Sequence, residues 1–120
     1  MQYLLLIYGD EAAWNARTDD DLDALNEGYS GLSRDLRAAG KLAGANELQP
    51  TATATTVRVR AGDTIVRDGP FAETKEVLGG YYLIESESLD EAIQWAERIP
   101  DARTGTIEIR PVVDHSGSGS

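Results

Sequence analysis

The sequence contains no cysteine and a single histidine, His115. Without cysteine the chain can form no disulfide, offers no thiolate to a metal and has no thiol nucleophile. His115 opens the segment 115–120, whose Ser-Gly repeat is typical of a flexible tail or an expression scar. The remainder therefore lacks an imidazole, which excludes Ser-His-Asp, Cys-His and histidine-rich metal sets. We predict neither a metal site nor a cofactor.

Basic residues are also scarce. The chain has eleven Lys and Arg residues and 21 Asp and Glu residues, which gives a formal net charge of −10. Such an acidic surface repels phosphate backbones and anionic lipids, so we expect no nucleic-acid partner and no membrane partner; solubility is the simpler meaning of the charge. The apolar run at residues 2–8 carries no basic leader and is too short to span a bilayer. These features predict a cytoplasmic protein.

The first half of the chain reads as a strand, a helix and a second strand. The run at residues 2–8 predicts a buried strand. Thr18 precedes three aspartates and predicts a helix start, and Gly40 predicts the helix end. Apolar residues recur between them at spacings of three and four and predict one apolar stripe: Leu22, Leu25, Tyr29, Leu32, Leu36 and Ala39. Residues 41–48 predict the second strand.

The second half repeats this order after a hairpin. Residues 54–60 alternate in polarity, Ala61-Gly62-Asp63 is typical of a hairpin turn, and residues 64–67 predict the return strand. A strand at 78–85, a helix that Ser88 begins and Pro100 ends, and a strand at 107–113 follow. With no internal linker, we predict one domain over residues 1–114 and a tail over 115–120.

This order predicts an α+β fold, a ferredoxin-like antiparallel sheet with two helices on one face. Two helices cover only one side of such a sheet. Yet the strands at 2–8 and 78–85 carry apolar residues at both odd and even positions, and therefore on both faces of the sheet. We therefore expect the uncovered face to meet a second copy of the chain, sheet against sheet.

The most distinctive segment is residues 68–80, which combines a tight turn, a charged stretch and a glycine pair before an aromatic strand. With the stretches at 3–8, 36–40, 52–58 and 109–112, it resembles the YCII-related family, and within it the branch named after its Asp-Gly-Pro-Phe signature (DGPF). The resemblance covers nearly the whole chain.

The resemblance implies a dimeric α+β barrel, formed when two copies join through their sheets. Members of the branch are often encoded beside extracytoplasmic-function sigma factors, so such a factor is a candidate partner. A His–Asp pair has been proposed as catalytic in the wider family. The helical histidine of that pair would fall near Tyr29 in this chain, which has no histidine there. We therefore do not expect the histidine-dependent mechanism of the wider family in this chain.

Asp68 is the candidate catalytic residue. A carboxylate at the end of a strand beside a cleft could act as a general base or hold a substrate amine or hydroxyl. The simpler alternative is that Asp68 accepts hydrogen bonds from the backbone of its own Asp-Gly-Pro turn.

Four residues are candidates for ligand binding: Tyr29, Phe71, Tyr82 and Arg58. The tyrosines could present hydroxyl groups to a cavity, Phe71 could line a cleft, and Arg58 could bind an acidic group. The alternatives are core or interface tyrosines, a Phe71 that plugs the edge of the core, and an Arg58 paired across strands.

Two functions follow. The first is a small dimeric protein that binds a small ligand or a protein partner, with sigma-factor-linked regulation as one setting. The alternative is a small-molecule enzyme of the lyase or hydrolase type, which uses Asp68 in a cleft shared with Phe71, Tyr29 and Tyr82.

Overall fold

The structure of the protein, a computed structural model, describes residues 1–115. The strands are β1 (Gln2–Gly9), β2 (Leu42–Glu47), β3 (Thr55–Arg60), β4 (Asp63–Asp68), β5 (Val77–Glu85) and β6 (Thr106–Pro111). The helices are α1 (Glu11–Asn15), α2 (Asp19–Ala38) and α3 (Leu89–Glu97), with short 3-10 turns at Thr51–Thr53 and Pro100–Arg103. Of the predicted tail, residues 116–120 lie outside the described residues.

Four strands form one antiparallel sheet in the order β2-β5-β1-β6. Leu5 in β1 lies opposite Tyr82 in β5 and Ile109 in β6, which fixes the register at the centre of the sheet. The predicted α+β class and the antiparallel sheet are confirmed. The barrel involves a second chain and stays a prediction, as does the domain boundary at residue 114.

The core lies on one face of this sheet. Residues of β1 alternate strictly, with Tyr3, Leu5 and Ile7 buried and their neighbours only half-buried. Side chains from α2 and α3 pack against that face, and the core comprises Tyr3, Leu5, Ile7, Leu32, Leu36, Tyr82, Ile84, Ala92, Ala96 and Ile99. Both long helices therefore cover the same side, as the pattern of elements predicted.

Among residues 1–115, no helix lies on the opposite side. We call it the open face, and define it by the half-buried Leu4, Leu6, Tyr81 and Leu83 together with Glu108 and Arg110. The pairing places Leu4 beside Leu83 and Leu6 beside Tyr81, so the apolar side chains form one stripe across the two central strands.

The ends of α2 follow the local sequence closely. The Thr18 hydroxyl accepts a hydrogen bond from the Asp21 amide at 3.1 Å, and the Asp21 carboxylate accepts one from the Thr18 amide at 3.0 Å. This reciprocal pair satisfies two amides that the first turn leaves without helical partners. Gly40, at φ 71°, takes the left-handed conformation that ends helices.

One short helix, α1, was not predicted. Asp10 begins it, because its carboxylate accepts a hydrogen bond from the Ala12 amide at 2.9 Å. Five residues are too few to show an apolar period, so only the capping residue signals the helix in the sequence.

The predicted stripe of α2 is buried over only half its length. Leu32 and Leu36 are buried, whereas Leu25 and Tyr29 are half-buried and Leu22 is 40% exposed. Ala39 is exposed as well. The apolar stripe is therefore packed against the sheet over only part of its length, because the first half of α2 stands away from the sheet and leaves a cavity beneath it.

Strands β3 and β4 form a separate hairpin, which we call the arm (residues 55–68). The chain leaves the sheet after β2 and returns to it at β5, so the arm is inserted between two neighbouring strands. Ala61 and Gly62, with φ of 51° and 82°, make its turn where the sequence predicted a hairpin. Within residues 1–115, no helix is long and apolar enough to cross a membrane.

Candidate functional site

The cavity lies between the first half of α2 and the sheet, with α1 at one side. Its volume is about 460 Å³. Its walls are largely aliphatic and aromatic, and the main apolar contributors are Ile7, Trp14, Leu22, Leu25, Leu78 and Tyr82. A concave, mostly apolar space of this size is typical of a small-molecule site.

Trp14 of α1 forms one wall, and two glycines make room for it. A Cβ atom on Gly9 would lie 2.4 Å from the indole ring, and one on Gly79 would lie 2.5 Å from it. Any larger residue at either position would displace the ring. Gly79, in β5, therefore allows the Trp14 ring to approach the strand closely.

A polar network closes one corner of the cavity. Asp101 is buried, with 6% of its surface exposed, and its two carboxylate oxygens accept hydrogen bonds from the Arg17 guanidinium and the Tyr29 hydroxyl. The Arg17 guanidinium also lies 6.0 Å from the centre of the Trp14 ring. A buried carboxylate needs such compensation, because an unpaired charge in an apolar setting is strongly unfavourable.

Tyr29 has the most perturbed chemistry in this corner. Burial, with the hydrogen bond to Asp101 and the negative charge of that residue, raises the pKa of Tyr29 well above its usual value of 10.0. The phenol is therefore a proton donor at neutral pH and cannot act as a base. Its ring stacks on Tyr82 with centroids 6.3 Å apart, and the Tyr82 hydroxyl lies 2.8 Å from the Ser33 hydroxyl.

Glu11 ties α1 to the loop that follows β2. Its carboxylate accepts hydrogen bonds from the Thr51 hydroxyl at 2.6 Å and from the Thr51 amide at 2.8 Å. These bonds lower the pKa of Glu11 below its ordinary value, with the side-chain bond as the larger cause. They also hold α1 over the cavity, since Trp14 lies one turn further along the same helix.

The structure brings two of the five predicted site residues together. Tyr29 and Tyr82 both line the cavity. Asp68, Phe71 and Arg58 are exposed and lie on the arm or just after it. Within one chain, no single cleft is formed by Tyr29, Tyr82, Asp68 and Phe71.

Asp68 and Phe71 also differ from the simpler alternatives. Among residues 1–115, the Asp68 side chain has no hydrogen bond. Two other hydrogen bonds hold the turn: the Gly69 amide donates to the Ala54 carbonyl at 2.7 Å, and the Thr56 hydroxyl donates to the Gly69 carbonyl at 2.7 Å. Phe71 is 79% exposed and does not plug the core, because it lies in the connection that leads away from the arm.

Trp14, Arg17 and Asp101 were missed by sequence reasoning. Arg17 and Asp101 are 84 positions apart, and no local pattern predicts that two such residues meet. The one available signal was indirect: a stripe on α2 that contains a tyrosine needs a partner for its hydroxyl if the stripe is buried.

The comparison with known proteins is consistent with the motifs. The model of the YCII-related domain matches residues 1–116. An uncharacterized protein of Rhizobium meliloti (strain 1021) is 44% identical over 114 residues, which cover 93% of this chain and 92% of that protein. The chain belongs to the YCII-related family.

Proposed function

We propose that the protein binds a small, largely apolar molecule in the cavity beneath α2. The observation that carries this proposal is the cavity itself: about 460 Å³, apolar walls, and one corner where Tyr29, Arg17 and Asp101 form a fixed polar group. Binding sites of small molecules commonly combine apolar walls with a few well-placed polar groups that orient the ligand.

The polar corner favours an uncharged ligand. Arg17 and Asp101 neutralise each other through their direct contact, so neither is left to bind a charged group. The Tyr29 hydroxyl donates a hydrogen bond to Asp101, and its oxygen can still accept one. A ligand with a flat apolar body and one hydroxyl or amide donor fits this arrangement, and Trp14 provides an aromatic surface for its body.

The test is a titration with N-phenyl-1-naphthylamine, a neutral apolar fluorescent probe. The sequence has two tryptophans, so a Trp95→Phe background leaves Trp14 as the only indole emitter. We expect one probe to bind per chain and to quench Trp14. Leu25→Arg places a charge in the cavity wall and should weaken binding by about tenfold or more.

Leu89→Arg is the matched control, because Leu89 is a half-exposed leucine on α3 that does not line the cavity. It should bind the probe like the background protein. Equal binding by the Leu25→Arg and Leu89→Arg variants would contradict the assignment of the site.

We also propose that the protein is a homodimer joined through the open face, in a dimeric α+β barrel. The support is the apolar stripe of Leu4, Leu6, Tyr81 and Leu83, which lies on a face without helices. Leaving such a continuous apolar surface in water is unfavourable, and a two-fold partner removes it from water. Light scattering should give twice the chain mass, and Leu6→Lys should give a monomer.

A regulatory setting is a further part of the proposal. Its support is the resemblance to the DGPF branch, whose members are often encoded beside sigma factors. If a sigma factor is a physical partner, it should co-purify with the tagged protein from cells that encode both. Its absence from such a preparation would count against a direct interaction.

The enzymatic alternative stays a prediction from the sequence. Asp68 lies on the arm, outside the cavity, and would need a substrate that binds there. Should a substrate be found, unchanged turnover by Asp68→Asn would exclude this residue as the base.

A further inference from the structure

The arm has no core of its own. In the part of the chain that the structure describes, its two strands pair only with each other, and each has six residues. An isolated two-stranded hairpin is marginally stable at best in water, and three or more strands or a packed face are usually needed. A hairpin of this kind therefore gains stability when another surface covers it.

One side of the arm is apolar. The pairing places Val57 opposite Val66 and Val59 opposite Thr64, on the same side of the hairpin. Val57 is 58% exposed, and Val59 and Val66 are each 60% exposed. The other side carries Arg58, Arg60 and Arg67 with Ile65. The arm thus presents a valine face and an arginine face.

The charge of the arm is opposite to that of the rest of the chain. It holds three arginines and two aspartates, Asp63 and Asp68, which gives a net charge of +1. The whole chain carries −10, so the residues outside the arm carry −11. An arm is therefore attracted to the body of another copy and repelled by another arm.

We propose that the arm of one copy packs its valine face on the open face of a second copy. In a two-fold arrangement each arm lies on the part of the partner's open face that the sheet-to-sheet contact leaves free, so the same arm contact forms twice. The arm follows β2 and precedes β5 in the chain, so it is anchored near the end of the sheet where Glu47 pairs with Gly80. In the dimer proposed above, it reaches over the partner's sheet. The inference rests on that dimer.

The absence of cysteine makes the test direct. Two single-cysteine chains are mixed and oxidised, one with Val57→Cys on the arm and the other with Leu83→Cys or Glu108→Cys on the open face. A disulfide between unlike chains then reports a contact between copies and never one within a chain. Mass spectrometry of the cross-linked product identifies the pair.

Two controls separate the proposed contact from random collisions. Arg58→Cys lies on the opposite side of the same strand, and Gln94→Cys is an exposed position of α3 on the helix side of the body. We expect Val57→Cys to cross-link with at least one open-face cysteine at a yield at least about fivefold above either control pair, since only adjacent Cβ atoms can be bridged.

The outcomes distinguish the arm from the dimer. A protein that is dimeric by light scattering, but whose Val57→Cys links only to itself or to neither open-face cysteine, overturns the arm contact and leaves the dimer standing. A protein that is monomeric at all concentrations overturns both. Capture of a different protein on the arm, with no cross-link between copies, would also overturn the inference.

A second measurement does not depend on cysteine geometry. Val59→Glu places a charge on the valine face and should weaken the dimer by about tenfold or more, because that carboxylate would be buried in the contact. Arg58→Gln, on the arginine face, changes the charge by the same amount and is the matched control; it should leave the dimer within about threefold of the original, since that face stays in water. Equal weakening by both would contradict the proposed face.

Discussion

The two halves of α2 share one apolar stripe but lie over different surroundings. Leu32 and Leu36 in the second half are buried against the sheet, whereas Leu22 and Leu25 in the first half face the cavity. The same sequence pattern thus produces a packed core at one end and a cavity at the other. The apolar period of a helix therefore fixes the direction in which its side chains point, whereas the distance from the helix to the sheet decides whether they pack.

The largest expected effect tests this difference with one substitution at each end. Leu36→Ala removes a side chain that is 0% exposed and should lower the free energy of unfolding by about 3 kcal/mol. Leu22→Ala, at a position 40% exposed over the cavity, should lower it by no more than about 1 kcal/mol. Urea titrations followed by circular dichroism measure both values. Similar losses would mean that the cavity end is packed as tightly as the core end.

A smaller effect is expected at two glycines of α2. A Cβ atom on Gly28 would lie 2.8 Å from the Pro100 ring, so Gly28→Ala should destabilise the protein by about 1–2 kcal/mol. Gly31 faces only the flexible Arg34 side chain at 3.6 Å, and Gly31→Ala should stabilise the helix by about 0.5–1 kcal/mol.

The sign difference between these two variants is the critical result, and thermal unfolding measures it. Pro100 immediately precedes Asp101, so Gly28 also sets how closely the polar corner approaches α2. Stabilisation by both alanines would show that this contact is loose.

The smallest expected effect is a pH dependence at the polar corner. Because the pKa of Tyr29 is raised in the folded protein, the unfolded chain loses this proton more readily at high pH. The stabilising contribution is complete below pH 10.0, the ordinary pKa of the group, and is lost as the pH rises above it. Tyr29→Phe should show a shallower fall in melting temperature between about pH 9.5 and 11.

Tyr81→Phe is the control for that measurement, because Tyr81 is a half-buried tyrosine of the open face. It should retain the alkaline fall of the original protein. An identical fall in the Tyr29→Phe variant would assign the alkaline sensitivity to another group.

Local sequence determined much of the fold. Thr18 begins α2 because its hydroxyl can accept a hydrogen bond from a free amide of the first turn. Gly40 ends the helix because glycine readily takes a positive φ. Ala61-Gly62 determined the turn of the arm, and the alternation of valine and arginine in β3 determined its two faces. These features depend on residues within a few positions of one another, so a single sequence is enough to read them. The motifs around residues 68–80 also identified the family.

The position of the candidate site depends on contacts between residues that are far apart in the sequence. Arg17 comes from the turn before α2, Tyr29 from α2 and Asp101 from a 3-10 turn, and they meet because the sheet brings β1 and β6 together. The same folding carries Asp68 and Phe71 away from Tyr29 and Tyr82, although sequence reasoning had joined them in one cleft. Capping, turns and alternation are short-range properties of the chain, whereas a cavity depends on the separation between layers that distant residues set.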